Sequence, residues 1–188
     1  KFHGAGREDV DARMLGNGRP FIVEIKEPKK RFIDLSGVTR RISGDSRGNV
    51  EVSDLKLSSR DDLRRIKIRA TTTEKTYKAI VNIEREVNED DIKKLFDGIS
   101  GATIKQRTPL RVLHRRADRV RLNKVYEMYI KLITAKQMEV VVKTQGGLYV
   151  KEMVTGDNGR TTPSFSEILD AKAECNELDV IEVAEQLE

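Results

Sequence analysis

The 188 residues include a single cysteine, Cys175, no tryptophan and 5% aromatics. An intramolecular disulfide and a cysteine-cluster metal site are thereby excluded, and the core falls mainly to Ile, Val and Leu. The net charge of +5 conceals a basic body with an acidic end, 35 Lys/Arg against 23 Asp/Glu up to residue 163 and eight acids against one base beyond it.

In chain order, Gly4, Gly6, Gly16 and Gly18 bracket the segment Gly6-Arg7-Glu8-Asp9-Val10-Asp11-Ala12-Arg13, so the backbone turns sharply on either side of a charged cluster. Its carboxylates, Glu8, Asp9 and Asp11, admit three readings. They supply a nucleophile poised among arginines, a turn in which an Asp bonds its own backbone, or the ligands of a metal-dependent nuclease or phosphotransferase. Pro20–Lys26 predicts a strand with Phe21, Val23 and Ile25 on one face, broken by Glu27–Arg31. Val38–Ile42 and Val50–Leu57 predict two short strands around a turn at 43–49. Ser58-Ser59, followed by Asp61-Asp62, predicts a helix to about Arg69. Thr76–Glu84 alternates, with Tyr77, Ala79, Val81 and Ile83 sharing a face, and predicts a half-buried strand. Asn88 then caps a helix whose Ile92, Leu95, Phe96 and Ile99 recur at helical spacing, closed by Gly98 and Gly101.

Lys105–Arg121 is the most basic stretch, with seven Lys/Arg and His114 against one acid, Asp118. Pro109 argues against a helix interior. The unbalanced charge predicts an RNA-gripping loop in which Arg107, Arg111, Arg115 and Arg116 contact phosphates, as against a solvated strand pair. At the scale of the chain the same surplus suits a nucleic-acid surface, or the dense ion-pair networks of heat-adapted proteins. Long strands follow over roughly Arg119–Ile133 and Glu139–Thr144. Gly146-Gly147 then leads into a short helix, Leu148–Val154, and Asp157-Asn158-Gly159 makes a turn. A further helix enters through Thr162-Pro163 and carries Ile168 and Leu169. Val180–Ala184 closes the chain as a strand. Strands and turns interrupted by helices, with few regular crossovers, predict an α+β fold with a mostly antiparallel sheet. The length suits one domain, or one with a small appendage. With neither a membrane-length apolar run nor a signal-peptide pattern, a soluble cytoplasmic protein is expected, nuclear in a eukaryote.

Three ordered motifs carry a resemblance. Gly6-Arg7-Glu8-Asp9 resembles the G-R-x-D signature of pseudouridine synthases, and Tyr77-Lys78-Ala79-Ile80-Val81 their Tyr-x-Ala-x-Val strand. Gly147-Leu148-Tyr149-Val150-Lys151 resembles their Gly-x-Tyr-Ile/Val-Arg/Lys motif. The runs Ala5–Phe21 and Gly156–Ser164 are similar to the archaeal and eukaryotic Pus-ten family in particular. The resemblance implies a pseudouridine synthase catalytic domain over residues 1–188, an α+β fold on a central mixed, mostly antiparallel sheet flanked by helices and loops. The basic stretch at about 105–121 is its RNA-binding loop. Members of the family carry an N-terminal RNA-binding region with zinc-binding cysteine pairs, which this sequence lacks, so a catalytic fragment is expected.

The resemblance further implies a tRNA pseudouridine synthase acting in the T arm, at the uridines conventionally numbered 54 and/or 55. No cofactor, metal or obligatory protein partner is implied, because the isomerisation involves neither redox change nor group transfer. By the same resemblance Asp9 is the nucleophile, Tyr77 stacks on the flipped uracil, and Lys151 pairs with the catalytic carboxylate. Only that register selects Asp9 over Asp11. Arg7 then contacts the flipped nucleotide or a phosphate, and Tyr149 lines the pocket. Many superfamily members place Arg where this chain has Lys151. A lysine is a point charge and orients a carboxylate less well than a guanidinium fork. The alternative is a non-catalytic tRNA- or RNA-binding module.

Overall fold

A computed structural model describes residues 1–184, with the side chains of residues 69–72 left out of the description. Two compact units emerge, one of Lys1–Ala5 and Pro20–Lys67, the other of Gly6–Arg19 and Ile68–Glu188. In chain order the elements begin β1 (Phe2–Gly4), β2 (Ala12–Met14), β3 (Phe21–Val23), α1 (Leu35–Asp45), α2 (Arg60–Thr72), β4 (Lys75–Ile83) and α3 (Glu89–Ile99). They continue with β5 (Thr103–Arg107), a 3-10 turn (Leu110–Arg115), β6 (Val120–Thr134), β7 (Gln137–Thr144), α4 (Val150–Thr155), β8 (Thr161–Thr162), α5 (Phe165–Leu169) and β9 (Ala173–Val183).

In the first unit β1 and β3 pair antiparallel, His3 opposite Ile22, and the Phe2 and Phe21 rings stack with centroids 5.5 Å apart. Only Phe21–Val23 of the expected Pro20–Lys26 strand is regular. The strand expected at Val38–Ile42 is instead the middle of α1. Leu35, Val38, Thr39 and Ile42 are all half-buried, and their spacing puts them on one helical stripe. The β-branched side chains of Val38, Thr39 and Ile42 favour strand locally, and the periodicity outweighs that preference. The stretch expected as a second strand, Val50–Leu57, forms no regular element. At the start of α2, Asp62 N–H donates to Ser59 Oγ (3.2 Å) while Ser59 N–H donates to the Asp62 carboxylate (2.8 Å). This reciprocal cap is the physical reason the helix begins where the serines stand.

The second unit is built on a seven-stranded sheet in the order β2-β9-β4-β7-β6-β5-β8. Every neighbouring pair is antiparallel except β2 and β9, which run parallel, so the sheet is mixed and mostly antiparallel. That is the α+β arrangement expected from the sequence. Along β4 the alternation is complete: Lys75, Tyr77, Ala79, Val81 and Ile83 turn inward and the residues between them are half-exposed. Tyr77, Ala79, Val81 and Ile83 join Met128, Val140, Val142 and the buried faces of α3, α4 and α5 in one core. On α3, Leu95 and Ile99 are buried, Ile92 packs against the core and Phe96 faces outward at 47% exposure. The α5 cap is Ser164, whose Oγ accepts from Glu167 N–H at 3.2 Å, rather than the expected Thr162-Pro163 entry. The closing strand starts seven residues earlier than expected, at Ala173, because it pairs along the whole of β4. Among the described residues, no helix is long and apolar enough to cross a membrane.

Candidate active site

The loop ahead of β2 is fixed at both ends. Upstream, Glu8 is 16% exposed and Lys75, at the inward-facing start of β4, is 4% exposed; Lys75 Nζ donates to Glu8 Oε1 at 2.7 Å. Arg19 Nη2 donates to the same oxygen at 2.8 Å, and the Tyr77 hydroxyl faces Glu8 Oε2 at 3.3 Å. A carboxylate with three donors tolerates burial that an isolated one would not. Gly6 adopts φ +90, and a Cβ there would sit 3.1 Å from Lys75 Nζ, so glycine lets the chain pass over the lysine. Downstream, Arg13 makes two hydrogen bonds to buried Asp179 on β9 (2.7 and 2.8 Å). Leu15 and Gly16 N–H both donate to Val180 O. Gly16 has no room for a side chain, since a Cβ would lie 1.9 Å from Ile181 O.

Asp9 therefore stands on a braced loop, and its backbone oxygen accepts from Ala12 N–H at 3.1 Å. Its carboxylate meets a base other than the expected one. Arg111 Nη1 and Nη2 donate to Asp9 Oδ1 and Oδ2 at 2.6 and 2.7 Å, a two-point fork on a carboxylate that is 26% exposed. Lys151 turns instead to Asp11, and its hydrogen bond is the chief cause that lowers the Asp11 pKa. The expected Lys151–Asp9 pair is thus replaced by Arg111–Asp9 and Lys151–Asp11. The reason is shape: a guanidinium engages both oxygens of one carboxylate, which an ammonium does poorly.

Arg111 is itself held from behind. Its Nε donates to Glu152 Oε1 at 2.6 Å and its Nη2 approaches Glu152 Oε2 at 3.3 Å. Glu152 lies on α4 and is 4% exposed. Burial alone lowers the pKa of Arg111, but the hydrogen bonds to Glu152 and Asp9 outweigh it and raise the pKa further above the ordinary value. The guanidinium is therefore always charged.

A cavity of about 110 Å³ brings six of the expected residues together: Arg7, Asp9, Tyr77, Arg115, Arg116 and Tyr149 all line it. Arg107, Arg111 and Lys151 do not. Tyr77 is 2% exposed and walls the cavity from within. Burial first, and then the charge of Glu8, push the Tyr77 phenol pKa up, so the hydroxyl remains a donor. Tyr149 is held by its backbone. Buried Gln106 accepts from its N–H and donates to its carbonyl, both at 2.9 Å, while the Tyr149 hydroxyl accepts from Arg116 Nη1 at 2.9 Å. Arg107 is bonded to Asp118, which also accepts from Arg160 Nη2 at 2.6 Å. Within the basic stretch Arg107 thus fastens the loop on itself, while Arg115 is exposed on the cavity rim. The stretch is a strand end, a 3-10 turn and the start of β6 rather than a continuous loop.

Sequence reasoning missed Lys75, Gln106 and Glu152 as parts of this arrangement, and read Glu8 only as one of three loop carboxylates. Glu152 did leave a signal, an acid set among the apolar Val150, Met153 and Val154, where burial demands a partner. Lys75 opens a strand whose other inward residues are apolar or aromatic and carries the same kind of signal. Chemically, the arrangement offers the Asp9 carboxylate at a cavity wall, a fixed cation behind it, two aromatic rings and three arginines, Arg7, Arg115 and Arg116.

The model of the family described as "Pus10, C-terminal" matches residues 1–184. The chain is 51% identical over 182 residues to the tRNA pseudouridine synthase Pus10 of Korarchaeum cryptofilum, covering 97% of this chain and 48% of that protein. Against the protein of the same name from Pyrococcus furiosus the identity is 48%, over 100% of this chain and 47% of the relative. For Methanocaldococcus jannaschii the figures are 46%, 97% and 39%. The chain thus spans less than half the length of these relatives. A chain of the solved structure titled "Crystal Structure of a Cbf5-Nop10-Gar1 Complex" superposes with a TM-score of 0.49 and 23% identity over 60% of this chain and 31% of its own. Matched along nearly its whole length at both levels of comparison, this chain belongs to the Pus10 C-terminal family.

Proposed function

We propose that this chain is the catalytic part of a tRNA pseudouridine synthase, isomerising uridine 54 and/or 55 of the T arm with Asp9 as nucleophile. The observation that carries the reading is the Asp9 carboxylate, forked by Arg111 at the wall of a cavity that Tyr77 and Tyr149 share. The activity follows the names of relatives at 46–51% identity; the choice of the T arm follows the family resemblance carried by Ala5–Phe21 and Gly156–Ser164.

The uridine leaves its stack at a cost of about a few kcal/mol, and the basic rim offers the flanking phosphates Arg7, Arg115 and Arg116. Uracil then lies against the Tyr149 and Tyr77 rings. Asp9 attacks the nucleoside, at C1′ of the ribose or C6 of the uracil, and the N1–C1′ bond breaks. The base turns, C5 bonds to C1′, and the bond to Asp9 breaks, by displacement from C1′ or elimination from C6, returning the carboxylate; the C5 proton passes to solvent and N1 takes up a proton. Atoms and charge balance without a co-reactant. Arg111 holds the Asp9 carboxylate in one orientation, while Lys151 engages Asp11, which does not line the cavity.

The test is single-turnover conversion of T-arm uridines by the whole protein carrying Arg111→Met. Loss of turnover with retained tRNA binding supports the reading. Unchanged turnover refutes the role given to the Asp9–Arg111 pair. A non-catalytic RNA-binding module, the alternative, converts no uridine at all.

A further inference from the structure

We infer that Glu152 is a positioning residue for this reaction: a buried carboxylate that holds the Arg111 guanidinium in the one orientation that presents its other edge to Asp9. The inference rests on the reading of Asp9 as nucleophile and extends it.

Three observations carry it. Arg111 comes from the 3-10 turn Leu110–Arg115 and is 37% exposed, a site where an arginine side chain ordinarily keeps its rotamer freedom. Glu152 comes from α4, whose neighbouring Met153 and Val154 are 0% and 1% exposed, so its own position is set by the core. Finally, the two carboxylates take adjacent edges of one planar group. Glu152 occupies the Nε and Nη2 edge and Asp9 the Nη1 and Nη2 edge, with Nη2 shared. The rigidity of the core thereby reaches a nucleophile that stands on a loop.

Charge gives the arrangement a second effect. One guanidinium faces two carboxylates, so its attraction is divided and Asp9 is held without being fully neutralised. Glu152 does not line the cavity, so it touches no substrate and acts only through Arg111. Its neighbour Lys151 faces Asp11, and successive residues of α4 thus brace two different carboxylates of the same loop.

A merely structural Glu152 predicts lower stability and nothing specific in the kinetics. The distinguishing experiment is a double-mutant cycle in the whole protein, read as single-turnover rate, tRNA Kd and thermal midpoint. Glu152→Gln is expected to slow the chemical step about 10- to 100-fold, the size of a sub-ångström to ångström misplacement, with Kd changed less than about twofold. In an Arg111→Lys background, where no fork exists to be aimed, Glu152→Gln is expected to add less than about a twofold further loss. A full multiplicative loss in that background, a loss of affinity with normal turnover, or no kinetic effect overturns the inference. Should Glu152→Gln not fold, Glu152→Asp keeps the charge but withdraws it by one methylene, and the same comparison decides. Asp9→Asn is run alongside. If it turns over normally, the nucleophile reading itself fails; if it is inactive while Glu152→Gln is normal, only the role of Glu152 fails.

Discussion

At the residue scale, the motif register pointed to Asp9 and paired it with Lys151, whereas the carboxylate is forked by Arg111. Gly6-Arg7-Glu8-Asp9 singles out Asp9, and Asp9 does stand at the cavity wall. The base opposite it, Arg111, lies 102 residues away in a run whose excess charge was assigned to RNA. Nothing in local spacing distinguishes a guanidinium that faces a phosphate from one that turns inward to two carboxylates. Two charge-assisted hydrogen bonds at about 1.5 kcal/mol each give about a 100-fold slowing for Arg111→Met. Lys151→Met, which frees Asp11 rather than Asp9, is expected to slow turnover less than about 10-fold. Single-turnover assays of the two variants side by side check the ranking, and the reverse order contradicts the pairing. Tyr77 adds a pH expectation. Its buried phenol stays protonated across the working range, so Tyr77→Phe leaves the shape of the pH–rate profile unchanged; a lost alkaline limb argues that the hydroxyl ionises.

At the scale of elements, strict periodicity was legible and irregular chain was not. The alternation of β4 and the capped, amphipathic α3 were readable because one face of each is buried against a common core. The segment 38–57 was not, since its few apolar residues leave helix, strand and coil close in energy and only the half-buried stripe of α1 decides. For α3, the Asn88 side chain accepts from Asp91 N–H and the Asp91 side chain accepts from Asn88 N–H. Asn88→Ala is expected to cost about 1 kcal/mol in urea unfolding. Asp91 is also bonded by Arg85, the chief cause that depresses its pKa to about 2. A depressed carboxylate stabilises the fold above its unfolded value of 3.8, and that contribution is lost as pH falls towards about 2. Arg85→Met should therefore flatten the stability–pH curve in that window; an unaltered curve refutes the link. Gly16→Ala forces a Cβ onto the Ile181 carbonyl. It is expected to part β2 from β9, seen as faster exchange of the Leu15 and Gly16 amides, and to lower activity by loosening the loop that carries Asp9.

At the scale of the whole molecule, composition located the basic surplus but not its use. Part of it is internal: Arg13, Arg19, Lys75, Arg85, Arg107, Arg111, Lys151 and Arg160 all pair with carboxylates of the same chain. Arg115 and Arg116 remain on the cavity rim, Arg116 with a neutral hydroxyl as its partner. Neutralising both is expected to weaken tRNA binding and to reduce the slope of log K against log salt by about one for each phosphate left without its arginine. An unchanged slope removes these residues from the RNA surface. The α+β class and the mostly antiparallel sheet were legible because the long strands β4, β6 and β7 announce themselves. The parallel β2–β9 pairing was not, because a three-residue strand between glycines carries no pattern of its own.

The central claim is that Asp9 attacks a flipped uridine. It is tested most directly by tritium release from tRNA labelled at uridine C5, comparing the whole protein with its Asp9→Asn and Asp11→Asn variants. The account predicts release by the parent, none by Asp9→Asn and a reduced but measurable rate for Asp11→Asn. Release by Asp9→Asn at the parental rate, or an inactive Asp11→Asn beside an active Asp9→Asn, contradicts it.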